Sequence, residues 1–298
     1  MADPVEISTT AVLEPLAVSV PAEVEDEAEP QNPLTQRFTE QEWHALKGFR
    51  EQLPAMLEDA YEDPKARETP FKIWGITIDP VHPNNDARVS VVLMKFLRAR
   101  HLSIPDARDM FVSALRWRKI FDIDACIEET FPQDVFGQLG HIYGEDKEGR
   151  PIVYNLYGAN KDLKTVFGDV QRFLRWRVAL QERSVLLLDF INVDQTFQIH
   201  DYEGVTLSSR DANSKAAASE ATNIFTNYYP ELLYRKFFIS VPTFLNWIFW
   251  AFKPLLPANT VAKMSVVGSG THAISKALLP YIDEKQLPQR YGGDAEAF

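Results

Sequence analysis

The first folded third of the chain shows the residue spacing of amphipathic helices. Thr39-Glu40-Gln41-Glu42 is typical of a helix start, because a threonine cap is followed three residues later by a glutamate. The helix that begins there is predicted to reach about Tyr61. Residues 62–88 are polar and proline-rich and predict a loop with some buried aromatic side chains. A second helix is predicted over Val91–Arg100, and Ser103-Ile104-Pro105-Asp106 marks the start of a third. In that third helix the apolar residues recur at helical spacing: Ala107, Met110, Phe111, Ala114 and Trp117.

From about residue 135 the pattern changes to alternating strands and helices. Residues 145–150 have the composition of a tight turn, so Val135–Tyr143 and Pro151–Leu156 predict a hairpin. A long helix is predicted over about Leu163–Phe190. The remaining predicted elements are a strand at Thr196–Tyr202, a helix at Ser208–Tyr228, a buried strand at Phe237–Val241, a short helix near Asn259, a strand at Met264–Val267 and a final helix from His272. This alternation predicts an α/β fold with a mostly parallel sheet.

Residues 243–253 are predicted to form a helix that is unusually rich in aromatic residues. Only Thr243, Asn246 and Lys253 are polar in this run, so the rest of its circumference is apolar. It is too short to cross a bilayer, since a spanning helix needs about 20 apolar residues. Such a helix belongs to a large core, forms a lid over an apolar ligand, or touches a membrane. As a lid, its covering side chains are Phe244, Trp247, Phe249, Trp250 and Phe252.

Charge is distributed unevenly along the chain. Residues 1–36 hold eight acidic residues and no lysine or arginine. Removing these eight charges from the formal net charge of −11 leaves −3 for the rest of the chain. The acidic composition and the five prolines of this segment predict a disordered acidic tail over 1–36. The nearly neutral remainder lacks the basic footprint of a nucleic-acid-binding protein.

Other composition signals narrow the possible classes of protein further. A single cysteine, Cys126, excludes an intramolecular disulfide and cysteine-rich zinc sites. The N-terminus has neither the basic nor the continuous apolar region of a signal peptide, so a cytoplasmic location is expected. Gly268-Ser269-Gly270 lacks the third glycine of a dinucleotide fingerprint, so no nucleotide cofactor is expected. The motifs of serine hydrolases, phosphate-binding loops and zinc proteases are also missing, so we do not expect an enzyme.

Five motifs follow one another in order between about residues 70 and 295. They are Lys95–Arg100 with Asp106-Ala107 and Leu115–Arg118, then Asp146–Pro151, Asn227–Glu231, Thr260–Lys263 and Leu287–Gly293. Together they resemble the CRAL-TRIO family, whose members carry lipophilic ligands. The resemblance implies an α/β fold whose sheet floors an apolar pocket, with residues 243–253 as the gate helix that closes it. It divides the chain into the tail at 1–36, a small helical N-terminal unit at 37–125 and a CRAL-TRIO domain at 126–298.

The resemblance also implies a lipid headgroup site. In relatives that carry phosphatidylinositol, the acid of the Tyr-Tyr-Pro-Glu segment and the threonine and lysine of the Thr-Val-x-Lys segment contact the inositol phosphate. Glu231, Thr260 and Lys263 stand at the matching positions. A cation for the phosphate and an acceptor for the ring hydroxyls suit that headgroup. Composition alone favours a plain surface ion pair between Glu231 and Lys263.

A second candidate site lies on the strand predicted at Thr196–Tyr202. Gln198, His200 and Tyr202 are spaced by two residues and should project from one face of that strand. The His-x-Tyr-Glu-Gly spacing resembles the haem-binding branch of fungal phosphatidylinositol transfer proteins. That resemblance implies haem b with Tyr202 as the axial iron ligand and His200 close to the iron. Without the resemblance, a core histidine and a core tyrosine are the simpler interpretation.

The same branch implies further pocket residues. Tyr157 is one of them, and Arg175 and Lys236 are the cations at the positions that match those for the haem propionates. Three arginines of the long predicted helix form a basic cluster, in which Arg172 and Arg175 share a face and Arg177 points elsewhere. We interpret Arg172 and Arg177 as part of a solvated helix face.

The expected function is that of a cytosolic carrier that binds phosphatidylinositol, exchanges it at membranes and also binds haem b. The alternative is a dedicated haem-binding protein of oxidant stress or haem homeostasis with little lipid transfer. We expect a monomer or weak dimer without nucleic-acid partners. Its expected location is the cytoplasm, with transient peripheral association to endoplasmic reticulum or microsomal membranes.

Overall fold

A computed structural model describes the chain over residues 29–206, 212–242 and 258–298. The first part of it is helical, with one short hairpin. Its elements are α1 (Glu40–Arg50), α2 (Leu53–Tyr61), β1 (Phe71–Ile73), β2 (Ile76–Ile78), α3 (Ala87–Ala99), α4 (Ile104–Phe121), α5 (Ile123–Glu128) and α6 (Gln133–Phe136). Single 3-10 turns at Thr35–Arg37 and Pro64–Arg67 precede α1 and β1.

The predicted helix start at Thr39 is confirmed, but the helix that follows is divided. The Thr39 side chain accepts a hydrogen bond from the backbone N–H of Glu42, whose Oε2 accepts from the Thr39 N–H at 2.9 Å. The prediction of one continuous helix is wrong, because residues 51–52 separate α1 from α2. Pro54 lies in the first turn of α2, where its missing N–H removes no helical hydrogen bond. Inside a continuous helix the same proline would break one.

Residues 62–88 contain more structure than the predicted loop. Strands β1 and β2 pair antiparallel around the two-residue turn Trp74-Gly75, where both residues have positive φ angles of 52° and 81°. Positive φ at both positions is the conformation of a tight hairpin turn. The buried Trp74 ring stacks on Phe96 with 5.6 Å between the ring centroids, so the hairpin packs against α3.

The second part of the described chain is built on a five-stranded sheet. Its elements are β3 (Gly140–Glu145), β4 (Pro151–Leu156), α7 (Leu163–Gly168), α8 (Val170–Val185), β5 (Thr196–Asp201), α9 (Ala212–Tyr228), β6 (Leu233–Ile239), α10 (Ala258–Ala262), β7 (Met264–Val266) and α11 (Thr271–Leu278). The strand order is β3-β4-β5-β6-β7. Strand β3 pairs antiparallel with β4, and each later pair is parallel. The predicted α/β fold with a mostly parallel sheet is confirmed.

Three elements of this part differ from the prediction. The helix predicted over Leu163–Phe190 is divided at Asp169, which has an extended backbone and caps α8 by accepting a hydrogen bond from the Arg172 N–H at 3.0 Å. The strand predicted from Val135 begins only at Gly140, because residues 133–136 form α6. The strand predicted at Phe237–Val241 is observed as β6 at Leu233–Ile239. All three differences move the ends of elements and leave the topology unchanged.

Residues 29–36 are packed against the folded chain, so the tail predicted over 1–36 is too long at this end. The Asn32 Nδ2 donates to the backbone oxygen of Phe190 at 3.0 Å, and Thr35 is fully buried. Residues 1–28 lie outside the described part of the chain.

The sheet has a different hydrophobic cluster on each face. One large cluster joins the helical unit to the face that α8 and α9 cover. A smaller cluster covers the opposite face, where Phe197 and Ile199 of β5 pack with Ile274 and Leu278 of α11. Alternate residues of β5 therefore face α8.

The aromatic segment at 243–257 lies outside the described residues. The predicted gate residues Phe244, Trp247, Phe249, Trp250 and Phe252 therefore remain a prediction from the sequence. Within the described ranges, no helix has the length and apolar character needed to cross a membrane.

Candidate functional site

His200 lies at the centre of a polar row on the α8-facing side of the sheet. It is buried, with Nδ1 3.3 Å from the Tyr157 hydroxyl and Nε2 3.3 Å from Oε1 of Gln198. Gln198 in turn donates from Nε2 to Oε1 of Gln181 on α8 at 3.0 Å. This row is satisfied by a neutral imidazole that carries its proton on Nε2. Burial lowers the pKa of His200 well below its usual value, and the nearby cations Lys236 and Arg177 lower it further.

Two tyrosines complete this row of aromatic side chains. The rings of Tyr157 and Tyr202 lie 5.2 Å apart between centroids, and the Tyr202 ring lies 6.4 Å from Phe238 of β6. Burial raises the pKa of Tyr202 well above its usual value, and Tyr157 adds to that effect. The structure therefore brings together three residues predicted from the sequence, namely Tyr157, His200 and Tyr202.

Lys236 of β6 is a cation on the same face. Its Nζ lies 5.2 Å from the centroid of the Phe238 ring, and no carboxylate in the described ranges forms an ion pair with it. Burial, reinforced by Arg177, lowers the pKa of Lys236 to about 7. A lowered pKa of this kind means that the described residues compensate the charge of Lys236 only weakly.

The arginine that α8 contributes to this site is Arg177. The interpretation of Arg177 as a solvated surface residue is wrong, because its side chain is only 3% exposed. It lies beside Tyr157, where it opposes the rise that burial causes in the pKa of that phenol, and its guanidinium carbon is 4.7 Å from the centroid of Phe225. Its Nη1 is buried and has no hydrogen-bond partner in the described chain. An unpaired buried donor of this kind favours an acceptor from a ligand.

Arg175, which the sequence analysis placed in the pocket, lies elsewhere. Its Nε pairs with Glu129 at 2.5 Å, and its Nη1 donates to the backbone oxygen of Phe121 at 2.9 Å. Side chains that are two residues apart on an α-helix differ in direction by about 200°, so Arg175 and Arg177 leave α8 in nearly opposite directions. The structure does not bring Arg175 together with His200 and Tyr202.

The predicted headgroup residues form a separate polar site at the start of β6. The Lys263 Nζ donates to Oε2 of Glu231 at 2.9 Å, and both side chains are about a quarter exposed. Thr260 lies in α10, one turn before Lys263, whose N–H donates to the Thr260 oxygen at 3.1 Å. Glu231 and Lys263 are thus in contact, with Thr260 close along the chain.

Lys95 is a member of this region that the sequence analysis missed. From α3, its Nζ donates to Oδ2 of Asp194 at 2.6 Å and to the backbone oxygen of Glu231 at 3.0 Å. The side chain is only 2% exposed. One signal was available in the sequence, since a lysine within the apolar run from Val91 to Leu97 requires a buried acidic partner.

The described ranges contain no metal site built from acidic, cysteine and histidine side chains. No group of three or more such side chains is arranged there to hold a metal ion. Cys126 is buried, and burial raises the pKa of its thiol to about 11, so it is not a reactive thiolate at neutral pH.

Comparison with known proteins places these features in a family. A family model described as the CRAL/TRIO domain matches residues 136–293. The solved structure described as the crystal structure of Sfh5 matches with a TM-score of 0.69 and 24% sequence identity, and the match covers 80% of this chain and 83% of that chain. At this level of identity the solved structure supports the fold alone.

Two relatives give the finer assignment. The chain is 36% identical to the phosphatidylinositol transfer protein sfh5 of Botryotinia fuckeliana (strain B05.10), in a match that covers 83% of this chain and 57% of that protein. It is 34% identical to the protein of the same name from Neosartorya fischeri, with 98% of this chain and 72% of that protein covered. The chain therefore belongs to the CRAL-TRIO family and, within it, to the group of Sfh5 phosphatidylinositol transfer proteins. It spans 57% and 61% of the length of the relatives from Botryotinia fuckeliana and Sclerotinia sclerotiorum.

Proposed function

We propose that this protein binds phosphatidylinositol and transfers it between membranes. The observation that carries the proposal is the contact between Glu231 and Lys263 at the start of β6. A lysine supplies the charge that a lipid phosphate requires, and a carboxylate accepts hydrogen bonds from inositol hydroxyls. Both side chains are partly exposed, so a headgroup can replace their mutual contact without leaving a buried charge unpaired. The names of the relatives support the same class of cargo.

Vesicle transfer assays test this proposal. The wild-type protein should move fluorescent phosphatidylinositol from donor to acceptor vesicles, and Lys263→Ala should reduce the rate at least tenfold because the phosphate loses its cation. Lys285→Ala provides a matched control, since Lys285 is exposed and remote in sequence from the headgroup residues. A Lys263→Ala variant that transfers as fast as the control would remove Lys263 from the headgroup site.

Transfer of this kind implies transient contact with membranes. We propose a cytoplasmic protein with peripheral association to endoplasmic reticulum or microsomal membranes. Sedimentation with liposomes that contain phosphatidylinositol, followed by cell fractionation, measures this directly. Recovery of the protein only in membrane fractions that withstand a high-salt wash would contradict a transient association.

The second candidate cargo is haem b, for which the cluster around His200 is the specific observation. Haem b combines a flat apolar ring with two propionates and an iron atom that binds oxygen and nitrogen ligands. Arg177, with its unpaired buried Nη1, and Lys236 are suited to hold the propionates. Tyr202 would provide the axial ligand, with His200 and Tyr157 beside it.

An absorption spectrum tests the haem proposal. Protein produced with ample haem should show a Soret band, and Tyr202→Phe should abolish or shift it because the phenolate ligand is lost while the ring volume is kept. Tyr143→Phe is the matched control, since Tyr143 packs in the cluster on the opposite face of the sheet. A colourless wild-type protein under haem supply would overturn the proposal, as would an unchanged spectrum in Tyr202→Phe.

A further inference from the structure

The backbone of Glu231 has a conformation that its residue type does not favour. Its φ angle is 54°, in the left-handed region that glycine adopts readily and other residues adopt only when their surroundings fix them. This conformation lies directly between α9 and β6. It sets the direction in which the Glu231 side chain leaves the chain, and that side chain reaches Lys263. Whatever fixes this backbone therefore also fixes the headgroup pair.

The backbone oxygen of Glu231 accepts two side-chain hydrogen bonds that fix this conformation. Lys95 Nζ donates at 3.0 Å, and Gln195 Nε2 donates at 3.2 Å. The Lys95 ammonium also pairs with Asp194 at 2.6 Å, so its own position is fixed from a second direction. Hydrogen bonds from a charged donor are stronger than those between neutral groups, so Lys95 is the dominant of the two contacts.

Lys95 and Lys263 differ in exposure, so they have different roles. Lys95 is 2% exposed, so its side chain cannot reach a headgroup that replaces the Glu231–Lys263 contact. It acts only through the backbone of Glu231. Lys95 also belongs to α3, a helix of the N-terminal unit, and so links that unit to the headgroup residues.

We propose that Lys95 is a positioning residue of the headgroup site, which holds the backbone of Glu231 so that its carboxylate faces Lys263 and the inositol ring. This inference rests on the proposed function of phosphatidylinositol transfer. Its specific consequence is that Lys95 controls the preference of the protein for an inositol headgroup over a choline headgroup. Transfer of a lipid whose headgroup lacks ring hydroxyls should not depend on it, because such a headgroup offers the Glu231 carboxylate no hydroxyl from which to accept a hydrogen bond.

The test is the double variant Lys95→Met/Asp194→Asn, which removes the buried cation together with the charge of its acidic partner. Transfer of phosphatidylinositol and of phosphatidylcholine is measured separately on the full chain. We expect the ratio of the two rates to fall about tenfold, through loss of phosphatidylinositol transfer with phosphatidylcholine transfer within twofold of wild type. Lys95→Arg keeps the charge and should recover at least half of the lost preference.

A matched control exists on the same helix. Arg98 of α3 pairs with Glu42 of α1 at 2.6 Å, and in the described ranges neither side chain forms a hydrogen bond or ion pair with Glu231. Arg98→Met/Glu42→Gln therefore removes a cation one helical turn from Lys95, together with its acidic partner, and keeps the hydrogen bonds that Glu231 accepts from Lys95 and Gln195. It should leave the ratio of the two transfer rates unchanged.

Three outcomes would overturn the inference: an unchanged ratio, an equal loss of both lipids, or the same change of ratio in the control. Should the double variant fail to fold, Lys95→Gln decides. Its shorter neutral side chain cannot serve both Asp194 and Glu231, so the ratio should fall as well. An unchanged ratio in Lys95→Gln would also overturn the inference.

A wild-type protein that transfers no phosphatidylinositol contradicts the proposed function itself. This result differs from a lipid preference that survives without Lys95, which contradicts only the inference about Lys95.

Discussion

At the scale of single residues, the α8-facing side of the sheet brings two cations, Arg177 and Lys236, close to a neutral His200. Arg177, His200 and Lys236 influence one another, and no carboxylate of the described ranges pairs with Lys236. Buried charge without a partner destabilises a protein. An anionic cargo of the kind proposed above would supply the missing charge and would recover the lost stability.

Replacement of Lys236 by methionine should stabilise the cargo-free protein. The pKa of Lys236 is about 7 when folded and about 10.5 when unfolded, so the folded state disfavours the charged form. The penalty is fully present below pH 7 and disappears as the pH rises towards 10.5. Lys236→Met should therefore raise the melting temperature by about 3 °C or more at pH 7, and by less at pH 10.

Thermal unfolding monitored by circular dichroism at both pH values measures this difference. The exposed Lys285 serves as the control position, where Lys285→Met should change the melting temperature by less than about 1 °C. A lower melting temperature for Lys236→Met at pH 7 would show that Lys236 is compensated in the free protein.

The residues of the site differ in how far the sequence could predict them. His200 and Tyr202 were found because a strand has a strict two-residue period, which fixes the face of each side chain. Arg175 was placed in the pocket by the family resemblance. Arg177 was interpreted as solvated, because a helix that is buried on most sides has no clear polar face that shows its rotation. The buried apolar residues of α8 are Phe173, Leu174, Trp176, Val178, Ala179 and Leu180.

At the scale of elements, the predicted and observed helices differ where one residue interrupts a regular apolar pattern. Pro54 divides α1 from α2, and Asp169 divides α7 from α8, although the apolar spacing continues through both breaks. The hairpin at residues 71–78 was missed because its strands have three residues each, too few for a visible alternation. Strands β4 and β5 were predicted, because burial along their whole length makes them rich in apolar residues. Strand β6 was predicted only from Phe237, because its first four residues are partly exposed and include Arg235 and Lys236.

The hairpin turn should be sensitive to a side chain at Gly75. Its φ is +81°, and a Cβ there would lie 3.2 Å from Cδ2 of Leu186, so Gly75→Ala combines backbone strain with a close contact. We expect a loss of about 1–2 kcal/mol in the free energy of unfolding, measured by urea denaturation.

Gly268→Ala is the matched control for this measurement. A Cβ at Gly268 meets no atom within 4 Å, and its φ does not lie in the left-handed region. The substitution should be neutral or stabilise by up to about 1 kcal/mol. Equal effects at Gly75 and Gly268 would contradict the strained-turn explanation.

At the scale of the whole molecule, a buried network around Glu182 joins the helical unit to the helices that cover the sheet. Arg118 of α4 forms two hydrogen bonds with Glu182 of α8, at 2.6 and 3.1 Å. The Tyr229 hydroxyl donates to the same carboxylate at 2.5 Å. Glu182 is 1% exposed, so this network lies inside the protein between α4, α8 and the end of α9.

Glu182→Gln should strongly destabilise the protein, because it leaves the buried guanidinium of Arg118 without a counter-charge. The expected loss is about 3–5 kcal/mol in the free energy of unfolding. Urea denaturation at pH 7 measures it. Glu58→Gln, which breaks the exposed pair between Arg67 and Glu58, should lose less than about 1 kcal/mol. Similar losses for the two variants would mean that water reaches the Glu182 network.

In the described ranges, the ion pairs Lys95–Asp194 and Arg118–Glu182 connect the helical N-terminal unit with the part of the chain that the family model covers. The family model covers residues 136–293, and this segment contains Asp194 and Glu182 but neither Lys95 nor Arg118. A protein reduced to the matched segment would expose the large cluster that ends on the helical unit and would leave both acids without their cations. The segment that the family model matches is therefore smaller than the stretch of chain that folds together. Any recombination of this domain with other proteins has to carry α3 and α4 with it.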